Sequence, residues 1–329
     1  MNANGKYTSN FMRLIAAAAL LAVTPLPAGA QDNYPNHPVK IIVPYAPGGI
    51  LDVLARLIGE KLTAKWGQVF IVENRPGASG NIGAEAVARA TPDGYTLLVS
   101  PPPPLAINQS LFPKLSYDPS AFVPITVIAM VPSVLVVHPA VPASTVQELI
   151  ALAKTQPGKY NYASTGNGST LHLTAELLKT LSGIQIVHIP YNGIPAALTD
   201  LMVGQIHMMF VNVSNALPHI TSGKLKVLAV TSNGRFPALP EVPALSETLP
   251  GFVSVTWFGL VAPPKTPPEI AAKISAAIAE AVRLPDLAKK LQDFSATAVG
   301  SSPEETARFF KQEVARWHDV ILRAGIKPD

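Results

Sequence analysis

Cysteine is missing from all 329 residues, which excludes a disulfide framework, thiolate chemistry and any cysteine metal site. Charge is also sparse, at 14% of residues, and aromatics make up only 7%. No Lys/Arg cluster is interleaved with aromatics, so nucleic acid is not expected as a partner. The usual catalytic signatures are missing as well: there is no G-x-S-x-G elbow, no H-E-x-x-H helix and no Walker A lysine loop. The seven histidines are scattered singly, and for His172, His188 and His207 a satisfied interior or edge position is a better reading than a ligand role. Glycines 77, 80 and 83 are spaced G-x-x-G-x-x-G, which differs from the dinucleotide fingerprint and reads as a tight turn with close helix packing. No cofactor, no metal and no catalytic residue is therefore expected.

What is present begins with an export signal. Lys6 and Arg13 precede an apolar run over 14–23, and Ala28-Gly29-Ala30 is a small-residue cleavage site, so 1–30 reads as a signal peptide cleaved after Ala30. The run is too short to span a bilayer, and Pro25 and Pro27 keep it from extending. Cleavage removes two of the 25 basic residues and none of the 21 acidic ones, so the net charge falls from +4 to +2. No later run is long and apolar enough to cross a membrane, so the mature chain is expected to be soluble.

Short β-branched runs over 39–43, 69–73, 96–100, 134–137, 160–164, 186–189, 206–211 and 226–231 alternate with helical stretches. Alternation of this kind predicts an α/β fold built on parallel sheet. Leu51, Leu54, Ala55, Ile58 and Leu62 form one apolar helix stripe, and Leu173, Leu177, Leu178 and Leu181 another. Thr266-Pro-Pro-Glu269 and Ser302-Pro-Glu-Glu305 each predict a capping box with a proline start. The apolar stretches 125–137 and 253–262 look too long and irregular for simple strands of one sheet, and are expected to connect two lobes. The chain would then cross twice, giving one lobe from 31–129 and 255–329, another from 130–254, and a cleft between them.

Three strand-to-helix turns carry chemistry suited to an anion. In the first, Val39 to Val43 runs through Pro44-Tyr-Ala-Pro-Gly-Gly49 into a helix, where the first helical N–H groups lack intrahelical partners. A carboxylate above Gly48, Gly49 and Ile50 would satisfy them, although an ordinary strand-to-helix turn has about the same claim on this segment. The second is Tyr162-Ala-Ser-Thr-Gly-Asn-Gly-Ser-Thr170, where Ser164, Thr165, Asn167 and Ser169 offer donors and Ser169 could equally be a helix N-cap. The third is Ile189-Pro-Tyr-Asn-Gly193. Open α/β sheets bind ligands beyond the carboxyl ends of their strands, so three such turns suit a cleft binder.

At these residues the chain resembles the tripartite tricarboxylate transporter substrate-binding proteins, the TctC-type or Bug family. The likeness spans essentially the whole mature chain. It rests on Pro44-Tyr-Ala-Pro-Gly-Gly49 with Asp52, on Val72-Glu-Asn-Arg-Pro-Gly77 through Asn81-Ile-Gly-Ala84, and on Pro92-Asp-Gly-Tyr-Thr-Leu97. It continues in Asn161-Tyr-Ala-Ser164, Pro190-Tyr-Asn-Gly193, Ala229-Val-Thr-Ser232 and Trp257-Phe-Gly-Leu260. The resemblance implies a type II periplasmic-binding-protein fold that closes on a small organic acid and hands it to a membrane permease of the tripartite tricarboxylate type. It implies a monomer working in the periplasm, without turnover. Its site residues map onto Tyr45, Ala46, Gly48, Gly49, Ile50 and Asp52 on one side. On the other they map onto Ser164, Thr165, Gly166, Asn167, Gly168, Ser169, Tyr191, Asn192, Val211 and Asn212. Asp52 would repel an anion, so it is expected to fix the helix start or hold water.

Departures from the family pattern bear on the ligand. Members often carry a polar Asn/Gly loop at Pro101-Pro-Pro-Pro104, a basic residue at Asn192 and an aspartate at Val211. Without the aspartate a ligand ammonium loses its partner, so di- and tricarboxylates or aromatic carboxylates are expected ahead of amino acids. Pro102 and Pro103 would give a flat apolar wall suited to an aromatic or longer aliphatic acid. Two other readings stay open at this point: a ligand-binding partner of a membrane sensor, and an exported hydrolase whose site is unrecognised.

Overall fold

Val39–Val43 opens the fold as β1, and its apolar run is buried almost throughout because helices and neighbouring strands cover both faces. The computed structural model describes residues 33–327, so the expected signal peptide and its cleavage after Ala30 lie outside the described residues. After β1 come α1 (Ile50–Trp66), β2 (Phe70–Asn74), α2 (Asn81–Ala88) and β3 (Thr96–Ser100). A π-helical turn over Pro103–Ile107 leads into α3 (Asn108–Leu111) and then β4 (Val123–Val137). Next are α4 (Val146–Thr155), β5 (Asn161–Ser164), α5 (Thr170–Ser182), β6 (Val187–Pro190), α6 (Ile194–Met202), β7 (Met208–Asn212) and α7 (Val213–Thr221). The chain closes with β8 (Lys226–Val230), β9 (Val255–Ala262), α8 (Pro268–Ala281), α9 (Pro285–Asp293), β10 (Thr297–Ala298) and α10 (Pro303–Ala324). Residues from His37 onward form one compact unit.

The strands run in the order β2-β1-β3-β9-β4-β7-β5-β6, with β8 and β10 also paired to β4. The expected parallel sheet holds only towards the two edges, where β1 pairs with β2 and β3, and β5 with β6 and β7. At the centre β9 and β4 run antiparallel to their neighbours, because both cross between the parallel groups instead of returning through a helix. The reading of 125–137 is right in part, since the stretch links two strand groups, but it does so as a strand. The stretch read as a connector, 125–137, belongs to one fifteen-residue strand that is both connector and sheet centre. Val123 to Pro132 pairs with β9, and Ser133 to Val137 pairs with β7, so one strand serves two groups. Where the pairing changes over, Ser133 and Thr231 lock to each other: Ser133 N–H donates to Thr231 Oγ1 (2.9 Å) and Thr231 N–H to the Ser133 carbonyl (2.8 Å).

Helix placement follows the apolar stripes. Leu51, Leu54, Ala55, Ile58 and Leu62 are buried along one face of α1, each large side chain contributing about 1.5–3 kcal/mol through burial. Gly67 ends that helix in the left-handed conformation, where glycine carries no Cβ penalty, and returns its N–H to the Thr63 carbonyl. At α10 the predicted capping box forms, with Glu305 N–H donating to Ser302 Oγ and Ser302 N–H to Glu305 Oε2. At α8 it does not. The helix begins at Pro268, Pro267 occupies the cap position, and Thr266 Oγ1 donates to the Pro263 carbonyl instead. Two consecutive prolines displace the start by one residue, which leaves Thr266 outside capping reach.

The C-terminal helix α10 packs on β4, α5 and the π-helical turn. Its buried Glu313 accepts hydrogen bonds from Trp257 Nε1 (2.7 Å), Trp317 Nε1 (3.2 Å) and Arg316 Nη2 (2.7 Å). Three donors on one carboxylate answer the desolvation of a charge in the core.

Candidate functional site

At the first turn the backbone between β1 and α1 is held from behind. Asp52, buried in the first turn of α1, accepts the Gly48 N–H (3.1 Å), Arg56 Nη2 (2.9 Å), Arg56 Nε (3.2 Å) and Asn74 Nδ2 (3.0 Å). Asn74 Nδ2 also lies 3.1 Å from the Tyr45 carbonyl, which ties β2 to the turn. Burial opposes the charge on Asp52, but Arg56, the Gly48 N–H and Asn74 together hold its carboxyl below the ordinary aspartate range. Its role is therefore to fix the helix start, and the Gly48 N–H is already taken. No side chain caps α1 at Gly49.

The second turn is held by histidines. Ser169 is the N-cap of α5, accepting from His172 N–H (3.2 Å). His172 Nδ1 in turn accepts the Gly168 N–H (3.1 Å), which assigns the ring proton to Nε2, 3.9 Å from Glu176 Oε1. Burial, with His188 and Lys179 adding to it, lowers the His172 pKa to about 3, so the ring is neutral. His188 stacks on His172 at 4.0 Å, and its Nε2 lies 2.6 Å from Ser164 Oγ, which accepts the Gly166 N–H (3.1 Å). Underneath, Glu176 accepts from Tyr162 Oη (2.5 Å) and Lys179 Nζ (2.7 Å). His207 pairs with Asn161 at the edge. All three histidines are thus satisfied structural residues, as their isolation in the sequence suggested.

Between the turns lies a cleft of about 450 Å³. On one side it is lined by Tyr45, Ser79, Pro101, Pro103 and Thr256, and on the other by Thr165, Asn167 through Leu171, Asn192 through Ile194, and Asn212. The starts of α5, α6 and α7 all meet it, so three positive helix ends share one wall. Among the described residues, none that lines the cleft is charged.

Of the residues singled out from the sequence, the structure brings Tyr45, Pro103, Thr165, Asn167, Gly168, Ser169, Asn192 and Asn212 into this lining. The others stand elsewhere. Ala46, Gly48 and Gly49 are exposed on the first turn, and Ile50 faces Leu287 of α9 and Phe294 just beyond its end. Asp52 is behind the turn, Pro102 is buried beside the wall, and Ser164 is buried beneath the second turn. Gly166 is partly exposed without lining the cleft, and Tyr191 Oη donates to Asp200 Oδ2 (2.7 Å). Val211 is fully buried between strands; side chains alternate along a strand, so its neighbour Asn212 takes the cleft position.

Ser79, Pro101, Thr170, Leu171, Gly193, Ile194 and Thr256 line the cleft without having been singled out. For Ser79 the marking signal is conformational and appears only in the folded backbone. This residue sits within the glycine triplet, where Gly77, Ala78, Ser79 and Gly80 all have positive φ, and backbone strain in non-glycine residues gathers at functional sites. Its carbonyl accepts from Tyr45 Oη (3.3 Å) and Asn108 Nδ2 (3.1 Å), which hold the segment against the cleft. Gly83 has the tight packing expected of the triplet: a Cβ there would come within 2.8 Å of Pro44 Cβ.

A mixed α/β sheet with helix-start turns facing a central cleft is the architecture of the periplasmic-binding-protein class. Comparison with known proteins places it more narrowly. The profile of the tripartite tricarboxylate transporter family receptor, TctC, matches residues 54–326, and the chain belongs to that family. Protein BugT of Bordetella pertussis (strain Tohama I) is 37% identical over 323 residues, covering 97% of this chain and 99% of BugT. The solved structure of R. palustris Rpa4515 with adipate has a TM-score of 0.79 at 37% identity, covering 90% of this chain and all of that one. MatC (Rpa3494) from Rhodopseudomonas palustris with bound malate has a TM-score of 0.75 at 33% identity, covering 88% of this chain and all of that one. The family consists of periplasmic solute-binding receptors, not enzymes. Among the described residues no helix is long and apolar enough to cross a membrane.

Proposed function

We propose that the chain captures a small organic carboxylate in the cleft and delivers it to a membrane permease of the tripartite tricarboxylate type. The observation that carries this reading is the shared wall of three helix starts, where Thr165, Asn167, Ser169, Asn192 and Asn212 bring hydroxyl and amide groups to the positive ends of the helices. The ligand carboxylate is assigned to that wall, with Tyr45 and Ser79 opposite. Adipate and malate in two related structures support a carboxylate over other anions. The two groups of strands on either side of the β4 changeover serve as lobes that close on the acid, and the protein works as a monomer. Signal-directed export places it in the periplasm, where such a receptor meets its permease.

A thermal-shift panel tests this. A ligand bound only by the native state adds RT ln(1 + [L]/Kd), about 2.7 kcal/mol at a hundredfold excess over Kd. At least one mono-, di- or tricarboxylate should raise the melting temperature of protein stripped of copurified ligand, while neutral amides of the same shape should not. No response from any acid would overturn the reading.

A further inference from the structure

Strand β3 ends at Ser100 and is followed by four consecutive prolines, of which Pro101 and Pro103 line the cleft. Proline has no backbone N–H. The turn after β3 therefore stands apart from those leading into α5, α6 and α7: it lines the cleft with proline rings where they bring hydroxyl and amide side chains. The polarity of the cleft is split accordingly. Donors gather on the helix-start wall, and opposite them stand Pro101, Pro103 and the Tyr45 ring, whose hydroxyl donates to the Ser79 carbonyl.

A carboxylate at the proline wall would meet no cation, and Pro101 and Pro103 offer it no N–H, so an ionised group against them is disfavoured to the extent that it gives up water. The hydroxyls of Ser79 and Thr256 suit a neutral polar substituent better than a second full charge. An alkyl chain or aromatic ring has the opposite preference, since covering the prolines and tyrosine removes apolar surface from water.

We infer that this cleft selects acids with a single carboxylate and an apolar body over the dicarboxylates of the same length. This rests on the carboxylate reading above and narrows it. It also separates the chain from its relative solved with adipate, since adipate carries a second carboxylate at the far end of its chain.

The test is calorimetry on ligand-stripped protein with two matched pairs, hexanoate against adipate and benzoate against terephthalate. Within each pair the second carboxylate is the main change. At least one monoacid should bind tenfold or more tightly than its diacid partner. Equal affinities, or tighter diacids, would overturn the inference and leave the carboxylate reading standing. If none of the four acids binds while other carboxylates do, the inference falls alone; if no carboxylate binds at all, both fall. Pro103→Ala gives an independent arm. It returns one N–H at the start of the π-helical turn, and in a variant with an unchanged circular dichroism spectrum the diacid-to-monoacid affinity ratio should rise severalfold. An unchanged ratio would remove the missing donor as the cause.

Discussion

Asp52 shows how a carboxylate can shape a cleft without lining it. Buried behind the first turn and held by Arg56, Asn74 and the Gly48 N–H, it fixes the backbone that carries Tyr45 to the cleft. Asp52→Ala leaves Arg56, which is half exposed, able to reach water, so the loss should be about 1–3 kcal/mol, read as a lower urea midpoint. His172 makes a different prediction. Its folded pKa is pushed down to about 3 by burial, followed by His188 and Lys179, so between that value and about 6.5 the unfolded chain binds a proton that the native state does not. Stability should therefore fall as pH drops below about 6.5, by up to about 1.4 kcal/mol per pH unit from this group. His172→Gln keeps a hydrogen-bond acceptor for Gly168 and does not titrate. Denaturant unfolding between pH 7 and 4 should show a shallower loss in that variant, and parallel curves would exclude His172 as the source.

Single elements show where sequence reasoning holds and where it stops. Local chemistry was legible: the apolar stripe of α1, the cap reading of Ser169 at α5 and the Ser302 box of α10 depend on near neighbours in the chain, whereas the stacking of His172 on His188, which the sequence spaces apart, does not. The Thr266 box was misread because a second proline moved the helix start. Ser302→Ala should accordingly cost about 0.5–2 kcal/mol in a melting experiment, whereas Thr266→Ala removes no helix cap. Long-range pairing was not legible. A run such as Val123 to Val137 looks alike whether it links lobes or pairs with strands on both sides, since its partners come from distant parts of the chain. The site divides in the same way. Turn residues near Ser169 and Asn192 could be found from the strand-glycine-helix pattern, but Thr256 reaches the cleft only because β9 passes through the sheet centre.

At the scale of the whole molecule, the second turn lies tightly against α3. Gly168 has a positive φ, and a Cβ added there would lie 2.2 Å from Leu111 Cδ2 of α3. Gly168→Ala should therefore weaken ligand binding at least tenfold, by forcing the second turn away from α3 and straining its backbone. Leu111→Ala removes the obstacle but not the strain, so the double variant should recover part of the affinity. A double-mutant cycle by calorimetry reads this, and strict additivity would mean that the contact does not couple the second turn to α3.

The long central strand also governs how the chain reaches its native state. Met130 pairs with Trp257 on one side and with Thr297 on another, so the centre of the sheet assembles only after remote parts of the chain have met. The entropy of closing those loops is lost before any central pairing is gained, which is the topology of a slow folder. Helices can form early while the middle of the sheet waits. A chain built this way stays open longer after synthesis, the condition in which a polypeptide bound for export can still be threaded through a membrane.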